Sequence, residues 1–297
     1  GSQYIGMGKE LYDTLPNAKA VIDLASEQTG LDIPALCFEE NDKLNITEYT
    51  QICMLAVEAA IYQAIIDKGI TPDVTAGLSL GEYGALIASG AMTMADAFAV
   101  VRKRGIYMQE AVPTGGAMTA VLGLDPQVIE DICKKTADET NSVVSVANYN
   151  CPGQIVITGE KAAVDAAAAA CSEAGAKRCV PLKVSGPFHS AMLKGAGEKL
   201  ADALESVEIH DIKVPYITNV TADYVKSPAD VKDYLTQQVS SSVRWQQTIE
   251  RLIADGADEF VEIGPGRSLS GFMRKINRDV KVVNIDKLED FEKYVNR

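Results

Sequence analysis

Residues 116–184 carry strand and helix signals in the order β-α-β-β-α-β, and that order most narrows what the chain can fold into. A strand at 116–122 (GAMTAVL) leads to a helix at 126–139 and a strand at 143–149 (VVSVANY). A turn at Asn150-Cys-Pro-Gly153 returns the chain into a strand at 154–159, an Ala-rich helix at 160–174 and a strand at 177–184. Such a block makes a small ferredoxin-like sheet, and Pro113-Thr-Gly-Gly116 punctuates its start. The flanks read differently. Apolar run 47–68 is a buried helix, and 94–112 is a second helix ending before Pro113. After the block come helix 189–205, strand 213–219, helices near 228–238 and 244–255, strand 258–263, helix 267–276, strand 280–285 and a final helix. Alternation of that kind builds a mainly parallel sheet covered by helices. The expectation is an α/β body from residues 1–114 and 186–297, a subdomain inserted at 115–185, and a site in the cleft between them.

Composition removes several function classes. With 28 Lys and Arg against 41 Asp and Glu, the formal charge is −13, which disfavours generic binding to nucleic acid or an anionic membrane. No stretch of about 18 uninterrupted apolar residues exists, and the opening GSQYIGMGKE lacks a signal-peptide pattern. Six scattered cysteines read as reduced cytoplasmic thiols, neither a disulfide framework nor a zinc site. Only two histidines occur, His189 and His210, which speaks against a multi-histidine metal centre.

Gly77-Leu-Ser-Leu-Gly81 lies between a short strand signal and a helix signal and fits the G-x-S-x-G nucleophile elbow, which makes the large body hydrolase-like. The glycines allow close backbone approach, and the helix N-terminus offers the Leu80 N–H as an oxyanion donor. The competing reading makes Ser79 a helix cap, with Glu82 completing an S-x-x-E capping box. A serine nucleophile needs a base. His189 shares a helical face with Leu193, Ala196, Leu200 and Leu204, so it is expected to point inward from a helix N-terminus whose dipole disfavours imidazolium. A core histidine with a satisfied hydrogen bond is the alternative, and His210, in the turn-like VEIHDIK, is the weaker candidate for a base.

Arg104 interrupts the apolar stripe of Met94, Ala97, Val101 and Met108 and therefore requires an anionic partner. That partner is either one of the chain's own carboxylates or a substrate carboxylate held bidentately. Weaker signals are Glu262-Ile-Gly-Pro-Gly266, a phosphate cradle or simply a helix entry, and the basic clusters Lys177-Arg178 and Arg274-Lys275-Arg278. Asn148 and Asn150 face the cleft or serve the hairpin.

Together these residues make the chain similar, over nearly its whole length, to the malonyl-CoA:acyl-carrier-protein transacylases, acyltransferases of fatty acid and polyketide synthesis. The resemblance rests on Gly77-Leu-Ser-Leu-Gly-Glu82, Arg104-Gly105, Met108-Gln-Glu-Ala-Val-Pro113, Asn148-Tyr-Asn-Cys-Pro-Gly-Gln154, Pro187-Phe-His-Ser190, Val243-Arg-Trp245, Glu262-Ile-Gly-Pro-Gly266 and Gly1-Ser-Gln3. It implies that Ser79 carries the acyl group, His189 is base and acid, Arg104 holds the malonyl carboxylate and the Leu80 amide serves the oxyanion. It also implies that the main-chain carbonyl of Gln238 orients His189, and that Phe188 marks malonyl over methylmalonyl selection. Met108, Asn148 and Gln3 complete the implied substrate contacts.

Two departures stand out. Leu78 occupies a position that is often histidine. The opening strand and first glutamine of a GQGSQ motif, which would lend a second oxyanion amide, do not precede Gly1. The chain as written is thus expected to lack a sheet edge and one donor, and to fall short of full activity. The implied reaction is ping-pong transfer from malonyl-CoA to acyl carrier protein, without a tightly bound cofactor or metal, by a cytoplasmic monomer. A polyketide carrier, a serine thioester hydrolase and a non-catalytic carrier-binding scaffold stay open as alternatives.

Overall fold

The structure, a computed structural model, describes residues 1–184 and 186–297. Ser185, the end of the expected inserted segment, lies outside the described residues. Helices α1 (Lys9–Thr14), α2 (Pro16–Thr29) and α3 (Ile33–Phe38) lead into α4 (Thr47–Ile66). Helix α4 is apolar on nearly every face because α2 and α6 (Met94–Ala111) pack around it. Ile52, Leu55, Ile61 and Ile65 are buried along it, each such side chain stabilising the fold by about 1.5–3 kcal/mol. Between them, α5 (Gly81–Ser89) starts directly after the elbow. Thr93 caps α6 by accepting from the Asp96 amide, and the helix stops before Val112-Pro113, where a helical residue is disfavoured.

Next come β1 (Gly116–Leu122), α7 (Pro126–Thr140), β2 (Val144–Cys151), β3 (Gln154–Glu160), α8 (Lys161–Glu173) and β4 (Arg178–Pro181). The antiparallel sheet runs β2-β3-β1-β4, with α7 and α8 closing a small core of Val121, Ile129, Ile157 and Val164. Cys151 pairs with Gln154, so Pro152-Gly153 is a two-residue turn with Gly153 at φ +76°, where a side chain would be strained. The other face of the sheet, Met118, Ala120, Ala147 and Val156, packs against Phe188. The sheet is also bonded to the body. Tyr149 N–H donates to Val243 O, Val243 N–H donates to Ala147 O, and Ser242 Oγ donates to Val146 O.

The chain then builds a 3₁₀ turn (Ala191–Leu193), α9 (Lys194–Leu204), α10 (Val231–Gln238), α11 (Trp245–Ala254), β5 (Glu259–Ile263), α12 (Ser268–Ile276), β6 (Lys281–Ile285) and α13 (Leu288–Val295). The expected parallel sheet is smaller than its sequence signals. Strands β5 and β6 pair in parallel, whereas the strands expected before Ser79 and at 213–219 meet at the single parallel bridge Thr75–Tyr216. Pro215 has no N–H for a ladder, and one rung further on the side chain of Asn219 takes the backbone groups that a strand would bond. All six cysteines are free thiols, and five are buried.

Candidate active site

The elbow is shaped by Gly77, where a Cβ would lie 1.9 Å from the Gly81 carbonyl oxygen. It places Ser79 in the left-handed region, at φ +54°. Ser79 is not a helix cap. Leu80 occupies the N-cap of α5, Ser79 Oγ lies 2.8 Å from His189 Nε2, and Glu82 turns its carboxylate to the Asn219 amide and the Thr218 hydroxyl. The Leu80 N–H donates to no acceptor among the described residues.

His189 is 4% exposed and sits before the 3₁₀ turn at φ +59°, not inside the helix expected from 189. Its backbone N–H donates to Val239 O, and its Nδ1 lies 2.8 Å from Gln238 O. A carbonyl can only accept, so Nδ1 carries the proton and Nε2 presents its lone pair to Ser79. Burial, and then the nearby Arg104 charge, lower the His189 pKa to about 4, while the bonds to Gln238 and Ser241 act the other way. The imidazole is therefore held neutral by desolvation and a cation, and the helix dipole expected to do this is not there, because no helix begins at residue 189. His210 is only half-buried, with Nδ1 3.8 Å from Glu208, and does not line the cleft.

Arg104 is 1% exposed and forms no ion pair among the described residues. Its donors go to neutral groups: Gln51 Oε1 at 2.6 Å, Gln238 Oε1 at 2.9 Å and Ser79 Oγ at 3.2 Å. Its Nε has no acceptor. Nε and Nη2 share one edge of the guanidinium, where Nε is unused and Nη2 is spent on the neutral Ser79 Oγ and Gln238 Oε1. Such an edge matches a carboxylate bidentately. Burial lowers the Arg104 pKa, and Tyr83 and Glu82 oppose that shift.

These residues open on a cavity of about 820 Å³ whose lining includes Ser79, Leu80, Arg104, Met108, Asn148, Phe188, His189 and Gln3. The Met108 sulfur accepts from Gln51 Nε2 beneath Arg104, and Gln3 donates to Asn45 Oδ1. Gln238 lies behind the cavity wall and touches all three central residues. It bonds His189 through its carbonyl, Arg104 through Oε1 and the Ser79 carbonyl through Nε2. Glu262-Ile-Gly-Pro-Gly266 leads into α12, with Glu262, Gly264 and Pro265 on the cavity lining. The Glu262 carboxylate already accepts from the Leu269 and Ser270 amides at the start of α12. Arg274, Lys275 and Arg278 line a separate open groove and add nothing to this site.

Sequence reasoning missed Gln51 and Asn219. Gln51 had a legible signal, being a polar residue on a stripe with Glu58 and Tyr62 within an otherwise apolar helix. Asn219, in a turn-like NVTA segment, had none.

A family model described as acyl transferase domain matches residues 1–285. A malonyl CoA-acyl carrier protein transacylase of Bacillus subtilis is 47% identical over 294 residues, covering 98% of this chain and 92% of the relative. Among solved structures, that of a Streptococcus pneumoniae protein titled MCAT superposes with a TM-score of 0.96 at 45% identity, covering 100% of this chain and 96% of that one. A malonyl-transacylase in complex with a type II polyketide acyl-carrier protein matches with a TM-score of 0.96 at 38% identity, covering 100% and 96%. With the family model spanning nearly the whole length and a relative at 47% identity, the chain belongs to the acyl transferase domain family.

Proposed function

We propose that this chain transfers a malonyl group from malonyl-CoA to the phosphopantetheine thiol of acyl carrier protein, with Ser79 carrying the group between them. The observation that carries the reading is a serine 2.8 Å from a neutral histidine, beside a buried arginine with no ion-paired carboxylate among the described residues. The Ser79 hydroxyl attacks the thioester carbonyl as its proton passes to His189 Nε2. The oxyanion accepts from the Leu80 N–H. Collapse breaks the C–S bond, and the imidazolium returns its proton to the coenzyme A thiolate, leaving malonyl-Ser79. The carrier thiol then runs the same steps in reverse. The proton and acyl balance closes without redox chemistry, so these residues call for no metal or tightly bound cofactor.

Gln238 replaces the acidic member of a hydrolase triad, holding His189 by a carbonyl. A neutral partner suits a buried imidazole next to a guanidinium. Arg104 gives up its bond to Ser79 Oγ when that oxygen becomes an ester, and aims Nε and Nη2 at the malonyl carboxylate. Phe188, set on Met118 and Val156, limits the width of the acyl pocket and favours malonyl over its branched homologue. Asn148, Met108 and Gln3 border the substrate. The chain works as a cytoplasmic monomer in this reading, with residues 115–185 as the small subdomain.

The test is intact-mass spectrometry after brief exposure to malonyl-CoA. Wild type gains one malonyl group and Ser79→Ala gains none, and an added carrier thiol discharges the adduct. An adduct lost in water alone at the same rate would indicate a hydrolase. Carrier binding without any adduct would indicate a scaffold. Offering fatty-acid and polyketide carriers side by side separates the two transferase readings.

A further inference from the structure

Asn219 has no assigned part in the reaction, yet every polar atom of this fully buried residue is committed to the elbow or its surroundings. Its Nδ2 donates to Gly77 O at 2.6 Å and its Oδ1 accepts from Ser79 N–H at 2.6 Å. The same Oδ1 accepts from Gln238 Nε2 at 3.2 Å. Its own N–H donates to Glu82, and its carbonyl accepts from Arg244 N–H. The carbonyl of residue 77 and the amide of residue 79 form the pair that a neighbouring strand would bond. Here a side-chain amide supplies that rung, at the point where the backbone bridge Thr75–Tyr216 ends.

Two consequences follow. Ser79 is held at positive φ by a bond on its own amide, so its Oγ stands where His189 Nε2 can reach it. The Ser79 N–H is engaged by Asn219, whereas the Leu80 N–H that follows has no acceptor among the described residues and is left to face an oxyanion. The single oxygen Oδ1 also contacts Gln238, whose carbonyl aims the histidine. We propose that Asn219 is a positioning residue. It sets the Ser79–His189 geometry and assigns the oxyanion role to the Leu80 amide, by clamping the elbow peptide and the Gln238 side chain at one atom. This rests on the reading that Ser79 is acylated by malonyl-CoA.

The experiment compares wild type, Asn219→Ala and Asn219→Asp in single-turnover malonylation followed by intact mass, with thermal melting of each. Asn219→Ala is expected to slow the acylation rate constant by about 30- to 100-fold, the scale of an ångström-level misplacement. The KM for malonyl-CoA is expected to change far less than the rate constant, because Asn219 reaches Arg104 only through the Gln238 side chain. Asn219→Asp keeps the acceptor for Ser79 and loses the donor to Gly77, so it falls between the two. A residue that serves folding alone would reduce the fraction of molecules acylated and leave the rate constant of the remainder unchanged. That result, or an Asn219→Ala rate within threefold of wild type, overturns the proposal.

Wild-type amide exchange covers variants that fail to fold. The Ser79 amide is expected to be protected and the Leu80 amide to exchange faster, and the opposite order refutes the assignment. A wild type that acquires no malonyl group would instead strike at the acyl-serine reading itself.

Discussion

Arg104→Met removes the guanidinium while keeping a long, flexible side chain in its place, so the cavity left behind is small. In the free protein the change deletes charge-assisted bonds to Gln51, Gln238 and Ser79 Oγ. It also removes the desolvation penalty of a 1% exposed cation that has no ion-paired carboxylate among the described residues. These effects oppose each other in stability, and the melting temperature is expected to hold or rise. Catalysis has no such compensation. Loss of one partner from a buried, hydrogen-bonded charge pair costs about 2–5 kcal/mol. At about 1.4 kcal/mol per decade, that lowers kcat/KM for malonyl-CoA by roughly 30-fold to a few thousand-fold. Acetyl-CoA brings no carboxylate, and in wild type it leaves Arg104 on Ser79 Oγ, so its kcat/KM holds or rises. The assay is competitive loading of Ser79 from a malonyl-CoA and acetyl-CoA mixture, read by intact mass. A malonyl-to-acetyl ratio within threefold of wild type would refute the clamp. The same variant removes a charge that holds His189 below its usual range, so the acid limb of the acylation profile shifts upward in pH.

In wild type, the acylation rate is expected to stay level as pH falls through 6.5 and to be half lost near 4, because His189 must be neutral to accept the Ser79 proton. Between about 4 and 6.5 the unfolded chain binds the proton that folded His189 refuses, so stability falls as pH drops through that window, by at most about 1.4 kcal/mol per unit. Glu82, held protonated up to about 7 by burial, has the opposite slope from 4.5 to 7, so denaturant titrations of His189→Gln and Glu82→Gln against wild type separate the two. Gly77→Ala forces a methyl to within 1.9 Å of the Gly81 oxygen and must open the elbow, at a cost of about 1–3 kcal/mol or more and with loss of acylation. Wild-type denaturation midpoint and activity in that variant would contradict the close approach.

The β-α-β-β-α-β order was legible, with most bounds within two residues, because period-2 alternation, the Pro-Gly turn and two helices are local signals; the last strand, expected over 177–184, spans only Arg178–Pro181. Ser79, His189 and Arg104 were legible for another reason. Each breaks a local rule, as a serine between glycines, a histidine on an apolar face and an arginine in an apolar stripe. What failed was long-range. Strands 213–219 and the one before Ser79 hold apolar residues, but pairing them across about 140 positions is decided by Pro215 and by the Asn219 side chain, which no window of sequence exposes. The reason for the neutral histidine failed likewise, because burial and the Arg104 charge come from tertiary packing.

The bonds from Tyr149 and Val146 to Ser242 and Val243 bear on how the cleft is entered. They stitch β2 to the segment just before α11, immediately behind the acyl pocket, so the two walls cannot swing apart without breaking backbone pairing. Separating the walls at this point costs these three bonds, each about 0.5–1.5 kcal/mol. Discrimination between acyl groups then resides in shape and charge already in place.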